Sequence, residues 1–289
     1  MTAFATRYRT ALIDGLEIAY REAGDPSAPT LVLLHGFPSS SHMFRGLIAE
    51  LADEYHLIAP DHVGFGRSAA PATTEFDYGF ERLTDVTLQL LDRLGLDRFA
   101  LYVHDYGAPI GLRIAARHPE RITALISQSG NAYTEGFTPF WEVLFQHAED
   151  RATHEPAVRQ LLTAEATRWQ YTHGVPADRQ DRISPDAWVL DQAYLDRPGN
   201  REVQLQLFWD YQFNLAEYPL FQEYFRTHRP PTLVTWGRGD EIFGPEGAEA
   251  YARDLPDAEI HLLDAGHFAL ETHGEEIAAL IRDFLRRHR

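Results

Sequence analysis

The chain has no cysteine. That excludes disulfides, thiolate chemistry and any metal site built on thiolates. No apolar run approaches the ~20 residues that a membrane-spanning helix needs. The N-terminal segment MTAFATRYRTALIDGLEIAY lacks the apolar stretch of a secretory leader. A cytoplasmic protein without membrane attachment is therefore expected. Positive charge is scarce: 26 Lys plus Arg stand against 43 Asp plus Glu, a formal charge of −17. Such a surface repels phosphate backbones, so nucleic acid is not an expected partner. No metal motif such as H-E-x-x-H occurs, and neither a metal nor a cofactor is expected.

What is present is ordinary for a folded globular chain: 289 residues, 44% hydrophobic and 24% charged. Tyr8–Ile13 and Leu16–Glu22 flank Asp14-Gly15, a strong hairpin signal. Thr30–His35, Tyr55–Pro60, Arg98–His104 and Ile122–Gln128 are short apolar runs, as expected of strands buried on both faces. Between them His42–Asp53, Phe80–Leu94 and Gly107–Arg117 carry helical spacing. This alternation predicts an α/β protein with a mostly parallel, doubly wound sheet. It stops at about Asn131. Up to Arg229 the pattern is helical and rich in Trp, Tyr, Gln and His, with helices expected over Pro139–Ala148, Glu155–Tyr171, Asp186–Tyr194 and Glu202–Phe213. The alternation resumes after Pro230-Pro231. The expectation is a core of residues 1–130 and 230–289, interrupted after the sixth strand by a helical insertion over residues 131–229.

Four short motifs carry the chemistry. His104-Asp105-Tyr106-Gly107 stands between a strand and a helix, where a nucleophile elbow belongs. In place of the usual serine it holds Asp105. A carboxylate is already ionised at neutral pH, so it attacks a saturated carbon without a base and leaves an ester. A helix N-cap is the plain alternative for that aspartate. His35-Gly36-Phe37-Pro38 follows the strand two before the elbow and occupies the place of an oxyanion loop. Phe37 and Tyr106 are the expected backbone N–H donors. Asp240, in Gly237-Arg238-Gly239-Asp240, and His267, in Gly266-His267-Phe268, complete the order nucleophile, acid, histidine. Gly64-Phe65-Gly66-Arg67-Ser68-Ala69 nearly matches a dinucleotide fingerprint, but Ala70-Pro71 opposes the helix that fingerprint requires. A glycine-rich loop near the pocket mouth is expected instead.

With Asp61-His62-Val63-Gly64-Phe65-Gly66-Arg67-Ser68 added, these motifs resemble the epoxide hydrolase and haloalkane dehalogenase branch of the α/β-hydrolase superfamily. The resemblance implies an α/β-hydrolase fold with the insertion as a helical cap. It also implies an aspartate nucleophile acting on a small-molecule substrate. Haloalkane dehalogenases usually have tryptophan after the nucleophile, and many have asparagine in the oxyanion loop; this chain has Tyr106 and Phe37. Epoxide hydrolases use cap tyrosines as acids, and Trp209-Asp210-Tyr211-Gln212-Phe213-Asn214 resembles a stretch carrying one, which nominates Tyr211. His35, Trp169 and Tyr171 are further candidates for contact with substrate. The expected activity is hydrolysis of a small or medium apolar epoxide. Haloalkane hydrolysis is the first alternative, and a non-catalytic binding protein with a hydrolase fold is the second.

Overall fold

The computed structural model describes residues 5–288. Strands β1 (Arg7–Ile13) and β2 (Leu16–Ala23) form the expected hairpin. Its two turn residues both have positive φ, 47° at Asp14 and 80° at Gly15, which matches the twist of a tight hairpin. Strands β3 (Thr30–Leu34), β4 (His56–Pro60), β5 (Phe99–His104), β6 (Ile122–Gln128), β7 (Thr232–Gly237) and β8 (Glu259–Leu263) complete one eight-stranded sheet in the order β1-β2-β4-β3-β5-β6-β7-β8. Only β1–β2 and β2–β4 pair antiparallel. The other pairs are parallel.

Successive strand residues serve opposite faces, because side chains alternate along a strand. Val32, Leu34, Leu101 and Val103 join one core with helices α2 (Phe80–Arg93) and α3 (Gly107–Arg117). Leu31, Leu33, Ala100 and Tyr102 join the other with α1 (Arg45–Leu51) and α11 (Ala269–Arg287). The sheet is therefore covered on both sides, as the apolar strands require.

Between β6 and β7 lie helices α4 (Glu142–Glu149), α5 (Arg151–Val158), α6 (Ala164–Thr172), α7 (Pro185–Leu195), α8 (Asn200–Asp210) and α9 (Asn214–His228). Helix α10 (Pro245–Asp254) follows β7. One expectation needs correction here. The single helix expected over Glu155–Tyr171 is broken, because Thr163 is extended and caps α6 through a bond from Ala166 N to its hydroxyl. Helix α9 falls within the segment expected to be helical, but no bounds were expected for it. Pro219 lies inside it and obscures the helical signal, although the chain continues without interruption from the short 3₁₀ turn Tyr211–Phe213. Among the described residues no helix is long and apolar enough to cross a membrane.

Candidate active site

Asp105 stands at the turn from β5 into α3, with φ 49°. Asp and Asn are among the few side chains that tolerate this left-handed conformation. Gly107 lets the turn press against β3, since a Cβ there would lie 2.2 Å from Leu34 O. Strand order brings the second loop in. Although β4 intervenes in sequence, β3 pairs directly with β5, so His35–Pro38 emerges beside Asp105. Phe37 N donates to Asp105 Oδ1 at 2.7 Å, and Tyr106 N adds a second backbone donor. Gly36 admits the carboxylate: a Cβ on it would fall 2.2 Å from Oδ1.

The other two motifs converge from the ends of β7 and β8. His267 Nδ1 lies 2.9 Å from Asp240 Oδ2. The other Asp240 oxygen accepts from Ile242 N at 2.9 Å and Phe243 N at 3.0 Å, so the carboxylate is fixed and cannot rotate freely. That partner assigns the imidazole proton to Nδ1 and directs Nε2 toward Asp105 Oδ2, 3.8 Å away. All three side chains are buried. Burial pushes the Asp105 carboxyl up to about 6, against the opposing pull of His267 and the two backbone donors. Burial alone would lower His267, but the charge and hydrogen bond of Asp240, with a contribution from Asp105, outweigh it and leave the net value raised.

Sequence reasoning did not single out Gln128, which supports the histidine loop. Its Nε2 donates to His267 O at 2.8 Å. The ring of His104 also lies against that of His267, at 4.7 Å between centroids.

Aromatic rings form a wall about Tyr106, the neighbour of Asp105. Tyr106 meets Phe80 edge-on at 4.8 Å, Tyr211 at 5.8 Å, Phe37 at 6.0 Å and Phe65 at 6.4 Å. Phe65 is the contribution of the glycine-rich loop. That loop folds around Asp61, whose carboxylate accepts from Ser41 N and Arg67 N. Arg67 N, a backbone donor of the loop, is thus engaged by a side chain of the protein itself. Tyr211 comes from the turn after α8 and packs against Trp141 at 4.3 Å. Its Oη lies 3.3 Å from Tyr218 Oη, which accepts from Asn131 Nδ2 at 3.2 Å. Burial raises the pKa of both phenols, so both carry their protons at neutral pH. Tyr218 was not foreseen. It stands seven residues after Tyr211, a spacing that returns to the same face after two helical turns and could have revealed it.

Three sequence candidates have their side chains engaged by other partners. His35 has both ring nitrogens engaged by backbone: Nδ1 with Gly36 O and Nε2 with His62 N, each at 3.0 Å. Burial lowers it to about 4, so it is a neutral brace for its loop with no polar atom left for a substrate. Tyr171 donates its hydroxyl to Asp191 at 2.5 Å and stacks its ring on Phe268 at 4.0 Å. Trp169 stacks on His173 and Phe140.

Comparison with known proteins gives the arrangement its context. The family model for the alpha/beta hydrolase fold matches residues 29–274. An uncharacterized hydrolase of Saccharomyces cerevisiae is 43% identical over 270 residues, covering 92% of each chain. The solved structure of the haloalkane dehalogenase DatA from Agrobacterium tumefaciens shares the fold with a TM-score of 0.82 at 22% identity, over 99% of this chain and 98% of that one. The epoxide hydrolase CorEH does so with a TM-score of 0.76 at 19% identity, over 99% and 100%. This chain belongs to the alpha/beta hydrolase fold family and is a hydrolase of that family.

Proposed function

We propose that the protein hydrolyses small or medium apolar epoxides through a covalent ester on Asp105. In this reading residues 131–229 form a cap that closes over the flanking core and keeps water from the aromatic space. A carboxylate oxygen of Asp105 attacks one epoxide carbon, and the C–O bond on that carbon breaks. The departing oxygen takes the proton of Tyr211 Oη, while Tyr218 Oη supports the resulting phenolate by hydrogen bonding. His267 Nε2 then removes a proton from water, and the hydroxide adds to the ester carbonyl carbon. The N–H groups of Phe37 and Tyr106 hold the oxyanion. Collapse breaks the bond to the alkoxide, which takes the hydroxyl proton of the intermediate; Asp105 returns as a carboxylate, the diol leaves, and the proton on His267 returns to the phenolate through solvent.

The observation that carries this reading is the pair of protonated tyrosines in the wall beside Asp105. An alkoxide leaving group needs an acid. A halide needs N–H donors instead, and the two buried tryptophans Trp141 and Trp236 have already given theirs to Ile242 O and Phe243 O. The apolar walls suit a substrate with little charge.

The test is a paired screen of epoxides and haloalkanes, reading diol and halide release. Epoxide turnover is expected, with Tyr211→Phe slowing it by about 100-fold, the scale of general-acid catalysis. Halide release that survives Tyr211→Phe, with no diol from any epoxide, would replace this activity with dehalogenation.

A further inference from the structure

Helix α2 lacks a cap of its own. Its N-cap residue, Gly79, has an extended backbone and no side chain to accept the first free N–H groups. The missing acceptor arrives from 130 residues away: Asp210 Oδ2 accepts from Phe80 N at 2.8 Å. The fit is close. A Cβ on Gly79 would lie 2.9 to 3.1 Å from the Asp210 carboxylate.

Asp210 is the last residue of α8 and immediately precedes Tyr211. The residue it caps, Phe80, is wedged between two rings of the site, edge-on to Tyr106 at 4.8 Å and to Tyr211 at 5.4 Å. One hydrogen bond therefore fixes the backbone just before Tyr211 and also the ring on which Tyr211 leans.

We propose that Asp210 is a positioning residue, a helix cap supplied by a distant part of the chain, that sets Tyr211 in register with Asp105. The proposal rests on Tyr211 being the acid of the reaction. Without the clamp α2 retains its sheet packing, but the end of α8 is free to shift. A displacement of ~1 Å at a proton donor costs up to about 100-fold in rate. The effect falls on ester formation, because ester hydrolysis depends on His267, Asp240 and the backbone N–H groups of Phe37 and Tyr106, whereas Asp210 bonds Phe80 N.

The experiment separates the two steps, with styrene oxide as the probe. In a His267→Gln background the ester accumulates, and its appearance on the Asp105 peptide by mass spectrometry times ring opening. Adding Asp210→Ala is expected to slow that step at least tenfold. Asp210→Asn, which keeps an acceptor oxygen for Phe80 N, is expected to restore most of the rate. With His267 intact, ester already formed is expected to decay at the same rate with or without Asp210→Ala.

Thermal denaturation reads the cap independently of activity. Asp210→Ala is expected to lower Tm, and a Gly79→Ser/Asp210→Ala double variant to recover it by capping α2 locally. That double variant is expected to remain slow in ring opening. Recovery of both Tm and rate would overturn the proposal, because Asp210 would then only stabilise a helix. Equal slowing of ester formation and ester decay would overturn it as well, as would an Asp210→Ala variant with unchanged Tm and rate. If Tyr211→Phe forms ester at the unaltered rate, the tyrosine-acid reading fails on its own evidence, whatever the Asp210 variants do.

Discussion

At the scale of single residues, the proposed reaction requires Asp105 to be both an attacking carboxylate and a buried one. Burial raises its carboxyl to about 6, so the ionised, attacking form is lost as pH falls through that value. The rate of ester formation should therefore have an acid limb centred near pH 6, set by ionisation of Asp105. A rate that is flat from pH 5 to 7 would contradict this. Esterification also removes the Asp105 charge. That charge is one of the groups raising the pKa of His267, so its loss lowers the imidazole and favours the unprotonated form that must accept a proton from water. Accordingly His267→Gln should trap the ester and leave its formation within about tenfold of normal, seen as a stable mass increase on the Asp105 peptide. Asp105, Asp240 and His267 were legible in the sequence because strand-to-loop junctions confine them to the ends of β5, β7 and β8. Tyr218 was legible only as a position seven residues after Tyr211, because its pairing depends on a hydroxyl-to-hydroxyl distance that no strand register dictates.

At the scale of elements, Tyr171 and Asp191 join α6 to α7 beneath the loop that follows His267. The Asp191 carboxyl is fully enclosed, and burial raises it to about 8 despite the hydrogen bonds from Tyr171 and Ser39. In the unfolded chain it ionises near pH 4. Between those values the folded protein holds one more proton than the unfolded one, so this group's contribution to stability declines as pH rises from about 4 to about 8. Asp191→Asn keeps an acceptor for Tyr171 and removes the ionisation. Its Tm should exceed that of the unmodified protein at pH 8 by more than at pH 5. An equal difference at the two pH values would mean that Asp191 does not titrate in this window. The sequence pointed to Tyr171 as a residue that matters and placed it in a substrate pocket. Its partner Asp191 lies 20 positions away on another helix, and helix-to-helix pairing in an all-helical segment lacks the regular register that made β1–β2 predictable. The same reason hid the break at Thr163 and the start of α9.

At the scale of the whole molecule, all 26 basic residues are arginine, and acidic groups outnumber them by 17. Many arginines at the surface are tied to carboxylates, as Arg282 and Arg286 are to Glu54 and Arg253 is to Glu135. The candidate site also carries more formal negative than positive charge, with Asp105 and Asp240 facing one imidazole. A substrate carrying a carboxylate thus meets repulsion from the surface as a whole and again from the site. Of two epoxides of similar size, the neutral one should have the higher kcat/KM. The two sources of repulsion respond differently to salt. The Debye length shrinks from about 30 Å at 0.01 M to about 3 Å at 1 M, which screens the surface field and leaves the enclosed site almost unaffected. The preference should therefore narrow with added salt and settle at a residual value set by the aspartates within. A preference unchanged across that range would assign all of the discrimination to the site. A preference for the anionic epoxide at low salt would contradict this electrostatic account altogether.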